Sequence, residues 1–344
     1  MKAKVFCMVL CFLLIIPVLF SCAKPKSTEV ITLRFASDTP EVAAPTQFAY
    51  HFMNYVEEKS GGRVKFERYP GGVLGIMPEM LNMVSSGAID MTVLLHLLFK
   101  EQLPLHAFPE QVRGSMANAM DYINKLNFEI PETAALMEKE MEANNIKGLN
   151  YHALGEDGIV AKTVFNSLAD LKGKKLGGDK PLKAYENLGF TIVSVNQADM
   201  YEALARGVVD ALPFPIEAVA SNKWYEVSKC FMYNSLYHGG WQTVINLNTW
   251  KKLPPDIQDI FLEAAKSAEA FSVEWDKNHT AEYEKTLRDA GLVVGRLPAS
   301  DTDALFKQYY EMDKQDMLTF AEKTGKTEEA KTILKYVDQI LLGK

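Results

Sequence analysis

Apolar and polar residues alternate from Val30 to Ala36, and that period of two predicts a strand. Phe48, Phe52, Tyr55 and Val56 then recur at helical spacing, which predicts a helix over 45–60. Ser60, Gly61, Gly62 and Arg63 should stop it. Val64 to Tyr69 alternates again. Pro70, Gly71 and Gly72 turn the chain into a helix carrying Met77, Met80, Leu81 and Val84, which ends at Gly87. Ile89 to Leu94 is the next strand. Strands alternating with helices indicate a layered α/β domain with a largely parallel sheet.

A second cycle begins after Asn150. Leu168 to Gly173 reads as a turn into a short strand at Lys175 and Leu176. A helix near 180–188 ends at Gly189, a strand runs from Thr191 to Val195, and a helix over 198–206 ends at Gly207. The two cycles echo each other. In both, a helix, a glycine and an apolar–Asp–apolar strand follow in turn, with Ile89, Asp90 and Met91 in the first and Val209, Asp210 and Ala211 in the second. A long helix over about 255–290 follows Leu253, Pro254 and Pro255. Two more, over 300–322 and 326–341, close the chain.

The N-terminus is different in kind. Lys2 and Lys4 precede an apolar run from Val5 to Phe20, too short to span a bilayer, which needs roughly 20 apolar residues. It reads as a secretion signal over 1–21. Leu19, Ser21 and Cys22 resemble a lipoprotein signal, in which Cys22 would open the mature chain and carry lipid. Residues 22–30 would be a polar tether. The chain has 344 residues, 4 cysteines and a formal charge of −7. Beyond Cys22 only Cys230 remains, so no disulfide framework or CxxC metal site is expected. Acidic balance without a concentrated basic patch argues against a nucleic-acid partner.

Catalytic and cofactor signatures do not occur. The sequence has no GxSxG elbow, no GxxxxGK[ST] or GxGxxG phosphate loop and no HExxH zinc pattern. His238, Gly239, Gly240 and Trp241 faintly resemble an esterase oxyanion loop, but no serine elbow accompanies them. No enzyme activity, cofactor or metal is expected.

Four stretches carry a resemblance. Glu57–Val64 leading into Tyr69–Gly75, Val84–Gly87 and Ile89–Met91 looks like the first lobe of the DctP-like substrate-binding subunit of TRAP transporters (tripartite, ATP-independent, periplasmic). Asp170–Lys175 resembles that family's entry into the second lobe. Tyr201–Asp210 resembles its next helix and strand, and Trp250–Gln258 the start of its connecting helix. The resemblance implies an α/β, two-lobed periplasmic-binding-protein-like fold with a hinge. Residues 31–152 and 241–290 would form lobe I, and 153–240 and 291–344 lobe II. It also implies a periplasmic, lipid-anchored receptor that closes on a small-molecule ligand and delivers it to TRAP membrane subunits. A receptor of the same fold that feeds a signalling protein is the alternative.

One departure matters. Where that family carries a ligand-binding arginine this chain has Gly177, and no arginine occurs between Arg113 and Arg206. The site of a second family arginine is the acidic stretch Gly155, Glu156, Asp157 and Gly158. Phe214 stands where a polar residue often meets a carboxylate. Lys174, Lys175 or Lys180 could replace the arginine as a point charge, without its two-pronged fork. A more apolar ligand, or an acid held differently, is therefore expected. A receptor subgroup of this kind works with a tetratricopeptide-repeat periplasmic partner, which becomes a candidate partner here. Position in the fold nominates Pro40, Gly72, Leu74, His96, Phe99, Gly177, Phe214, Glu217, His238 and Trp241 as cleft residues.

Overall fold

The computed structural model describes residues 30–178, 182–196 and 199–343. Its first half contains β1 (Ile31–Ala36), α1 (Ala44–Lys59), β2 (Val64–Tyr69), α2 (Met77–Ser86), β3 (Met91–Leu95), β4 (Gln111–Arg113), α3 (Met116–Asn124) and α4 (Pro131–Ala143). There follow β5 (Ile146–Ala161), β6 (Lys175–Gly178), α5 (Lys183–Asn187), β7 (Thr191–Ser194), α6 (Met200–Arg206), β8 (Ala211–Pro213) and α7 (Ile216–Ser221). The chain closes with β9 (Cys230–Asn246), α8 (Leu247–Lys252), α9 (Pro255–Asp289), β10 (Val293–Arg296), α10 (Ala299–Lys323) and α11 (Thr327–Leu342). None of these helices is long and apolar enough to cross a membrane.

The strands lie in the order β2-β1-β3-β9-β5-β8-β6-β7, with β10 and β4 also paired to β9. β1 runs parallel to β2 and β3, and β6 parallel to β7 and β8. The centre is antiparallel, because β9 opposes both β3 and β5, and β5 opposes β8. The expectation of a largely parallel sheet is thus corrected. The sequence reading placed no strand over 146–161 or 230–246, stretches that contain Gly155, Gly158, Gly239 and Gly240. In the fold they sit in continuous strands of 16 and 17 residues. The β5–β9 register shifts between Gly148 and Asn150, His152 and Ala153, Ala153 and Glu156, and Glu156 and Gly158. Such bulges bend a strand without ending it. The boundaries expected at 152/153 and 240/241 fall in this bulged stretch.

The echo between the two halves has a physical basis. Gly87 and Gly207 both end their helices in the left-handed region, at φ 78° and 74°. The aspartate three residues later then clamps the neighbouring strand. Asp90 accepts from the Arg34 amide at 2.8 Å and donates its own amide to the Arg34 carbonyl at 2.9 Å. Asp210 repeats this on Lys175, at 2.8 Å in both directions. These aspartates are strand fasteners.

Three apolar cores result. One lies in the first lobe, between β1, α1, α2, β3 and the first half of α9. Another fills the second, around Leu212, Phe214, Trp224 and Phe231. The third joins α3 and α4 to α5, α10 and α11 through Tyr122, Met137, Tyr185, Phe306 and Ile333. The C-terminal helices therefore pack on segments expected in lobe I as well as on lobe II. At 35 residues, α9 is roughly 50 Å long and contacts both α1 and α7.

Candidate functional site

A narrow cleft, open at its mouth, lies where the lobes meet α9. The first lobe supplies Ala44 and Phe48 from α1. The second supplies Pro215, Ile216 and Glu217 at the start of α7. Gly155 of β5 and Met116 of α3 complete the wall, and α9 lines it with Trp275, Asp276, His279, Thr280 and Tyr283. Those five positions recur at intervals of three and four, so they share one helix face. The helix can pass this close because position 155 is glycine. A Cβ there would stand 2.7 Å from Asp276 Oδ1.

Aromatic rings form much of this surface. Trp275 meets Phe48 edge to face at 6.2 Å and stacks on His279 at 3.7 Å. Phe48 also touches His152 at 5.0 Å, and Phe271 stands 5.6 Å from Trp275. The charged groups are acidic. Burial pushes the Glu217 carboxyl up to about 7, and the charges of Asp276 and Asp157 add to the shift. Burial likewise raises Asp276 to about 6, against a weak bond from Thr280. Among the described residues, none that line the cleft is lysine or arginine. Arg296 is engaged nearby. It pairs with the buried carboxylate of Glu156 and lies over the Tyr233 ring at 4.8 Å. Glu156 also accepts from the Ser235 amide at 2.9 Å and from the Tyr237 hydroxyl at 3.2 Å.

Of the ten nominated residues, only Glu217 lines this cleft. Phe99 is packed in the first lobe's core. Gly177 turns towards the second lobe's core, where a Cβ would meet Val209 Cγ1 at 2.8 Å and Leu212 Cδ2 at 2.9 Å. Phe214 packs on Trp224 at 5.1 Å. His96, His238 and Trp241 belong to a polar belt along β3 and β9. There His96 Nδ1 lies 3.0 Å from the Tyr151 hydroxyl, and burial holds His96 well below the usual histidine range. His238 Nε2 lies 3.3 Å from Glu110, and Trp241 pairs across strands with Leu95 and His152. Pro40, Gly72 and Leu74 sit on the loops that follow the C-terminal ends of β1 and β2, tied by the Gly72 amide to the Ser37 carbonyl at 2.9 Å. Cys22, Lys180 and the tether up to residue 29 lie outside the described residues. The residues missed were Phe48, Trp275, Asp276, His279 and Tyr283. Their signal was an aromatic stripe interrupted by an acid, on a helix longer than one lobe needs.

A second, wider depression of about 600 Å³ lies against α4, β5 and α8, lined by Phe128, Met137, Met141 and Leu247 among others. It lacks the second lobe's α7, so closing the lobes would not enclose it. Among the described residues, no group of three or more histidine, cysteine or acidic side chains could hold a metal ion.

The comparisons with known proteins agree with this architecture. Residues 35–315 match the family profile described as bacterial extracellular solute-binding protein, family 7. The 2,3-diketo-L-gulonate-binding periplasmic protein of Escherichia coli is 24% identical, over 92% of this chain and 94% of its own. The C4-dicarboxylate-binding periplasmic protein of Rhodobacter capsulatus is 25% identical, over 78% and 80%. A crystal structure of a TRAP periplasmic solute-binding protein from Desulfovibrio salexigens superposes with a TM-score of 0.79 at 21% identity, covering 91% of this chain and 96% of that one. Two lobes around a cleft, a helix crossing both and a family match over most of the chain lead to one assignment: the protein belongs to the DctP-like family of TRAP substrate-binding receptors and is a binding protein, not an enzyme.

Proposed function

We propose that this receptor captures its solute in the cleft between α1, α7 and α9, without an arginine fork, and that the solute has a substantial apolar body. The observation carrying this is the lining itself, which sets Phe48 and Trp275 beside two carboxylates and, among the described residues, offers no guanidinium or ammonium group. The relatives named above are described as binding acids. A carboxylate ligand here would meet Glu217 and Asp276 and gain no charge-assisted partner among the lining residues. Aromatic and aliphatic surface instead favours an apolar group removed from water.

Closure follows from the same arrangement. A ligand that touches Phe48 of one lobe and Glu217 of the other stabilises the state in which those groups approach, and only that differential contact shifts the equilibrium. The bulged β5–β9 pair is the segment that would bend. The loaded receptor then hands its solute to the TRAP membrane subunits. Lipid on Cys22 would keep it at the membrane, and a tetratricopeptide-repeat protein would serve as an accessory partner for an apolar cargo.

Native mass spectrometry of protein purified from membranes, followed by extraction of whatever co-purifies, tests this. A bound molecule with an apolar body, lost in Phe48→Ala, is the expected result, with a chain that starts at a lipid-modified Cys22. A dicarboxylate or sugar acid in the cleft would overturn the ligand class.

A further inference from the structure

We infer that the solute of this receptor carries a protonated amine, held between Glu217, Asp276 and the aromatic wall of the cleft. The inference rests on the reading that this cleft is the solute site. Two carboxylates on different elements, Glu217 on α7 and Asp276 on α9, line one small space in which, among the described residues, His279 is the basic side chain and no lysine or arginine takes part. Taking a carboxylate out of water is costly unless a counter-charge or hydrogen bonds replace the solvent. Glu156, next to the cleft, has such replacements in Arg296, Tyr237 and the Ser235 amide. Asp276 has one long hydrogen bond, from Thr280 at 3.4 Å. The acids that face the cleft are thus the undersupplied ones, and the solute is the group that can supply the charge.

The remaining surface agrees with that chemistry. Indole and phenyl faces attract a cation through their quadrupoles. Phe48, Trp275 and Tyr283 occupy the same lining as the two acids. A primary ammonium has three N–H donors, enough for both carboxylates and the Thr280 hydroxyl, and a secondary ammonium has two, enough for the carboxylates. A quaternary ammonium has none. A bound ammonium favours the ionised carboxylates and would lower both raised carboxyl values.

The groups facing this pair are Asp157 and Glu156 on β5, Tyr237 on β9, Arg296 on β10, and His279 and Tyr283 on α9. Among these, His279 is the histidine whose charge acts on Asp276. It is therefore the control for any pH effect.

The test uses the mature protein and matched probes with one body and three head groups: 2-phenylethylamine, 2-phenylethanol and phenylacetate, with hexylamine, hexanol and hexanoate as the alkyl set. Binding is measured by isothermal titration at pH 5 and pH 8. The amines should bind most tightly, at least about tenfold better at pH 8 than at pH 5, as protons leave the two carboxyls. Glu217→Gln and Asp276→Asn should each weaken amine binding about tenfold or more while circular dichroism shows the fold intact. His279→Gln should keep the pH trend. Preferred binding of the carboxylates, lost in Phe48→Ala, would overturn the amine and leave the cleft standing. Amine binding untouched by Phe48→Ala and Trp275→Ala would instead sink the reading that this cleft is the solute site. No binding by any probe would overturn the head-group assignment, and the molecule extracted from the native protein would then decide on the cleft alone.

Discussion

Removing the Glu140 carboxylate should loosen the C-terminal helices from the rest of the molecule. Glu140 lies on α4 with a fully buried side chain. It accepts from the Leu105 amide at 3.0 Å, from the His106 amide at 3.2 Å, from His106 Nδ1 at 2.8 Å and from Lys326 Nζ at 2.6 Å. One carboxylate thus ties α4, the turn at 104–106 and the entry to α11. Glu140→Ala leaves an ammonium and two buried amides without this acceptor. Removing one partner of a buried ion pair costs about 3–5 kcal/mol. Unfolding entropy of about 2.1 cal/mol/K per residue, over roughly 310 residues, amounts to about 0.65 kcal/mol/K. The midpoint should therefore fall by about 5–8 °C in a thermal melt followed by circular dichroism. The pH dependence has a definite sign. Burial works to raise the Glu140 carboxyl, but the bond to His106 and the charges of His106 and Lys326 outweigh it and hold it below its ordinary value. A depressed carboxyl stabilises the fold above its unfolded pKa, and that contribution disappears as pH falls through the folded value. The gap between wild type and Glu140→Ala should accordingly narrow in acid, below the ordinary value of 4.5. A midpoint within 1 °C of wild type at pH 7, or a gap that stays constant into acid, would refute this account.

Three further outcomes are expected. Gly177→Arg should not restore carboxylate binding, because the new side chain starts against Val209 and Leu212. Titration with succinate should show no gain, and the melting point should drop. Gly158→Ala would bring a Cβ to 2.3 Å from Phe231 Cζ and 2.8 Å from the Met232 carbonyl oxygen. It should cost about 1–3 kcal/mol in urea unfolding, and a wild-type midpoint would contradict the close β5–β9 approach. Cys230 is buried, and burial raises its thiol pKa, so a thiol reagent should label it only on unfolding. Rapid labelling of the native protein at pH 7 would contradict its place in the core.

Much of this protein is determined by local sequence. Period-two runs became β1, β2 and β7, and helical spacing with glycine stops became α1, α2 and α6, because each signal is complete within a few residues. The repeated helix–glycine–aspartate pattern and the motifs around it were enough to place the chain in its family. Only the tertiary structure decided the rest. A bulged glycine and a strand-ending glycine look the same in sequence. What distinguishes them is the partner strand, and β5 and β9 find each other from positions about 90 residues apart. The cleft was decided in the same way. Whether Phe214 faces a ligand or Trp224 depends on how the second lobe packs. Trp275 and Asp276 become site residues because Gly155 lets α9 approach the hinge strand. Backbone periodicity is a property of neighbours in sequence, whereas a cleft is made by the ends of elements brought together only when all the cores have formed.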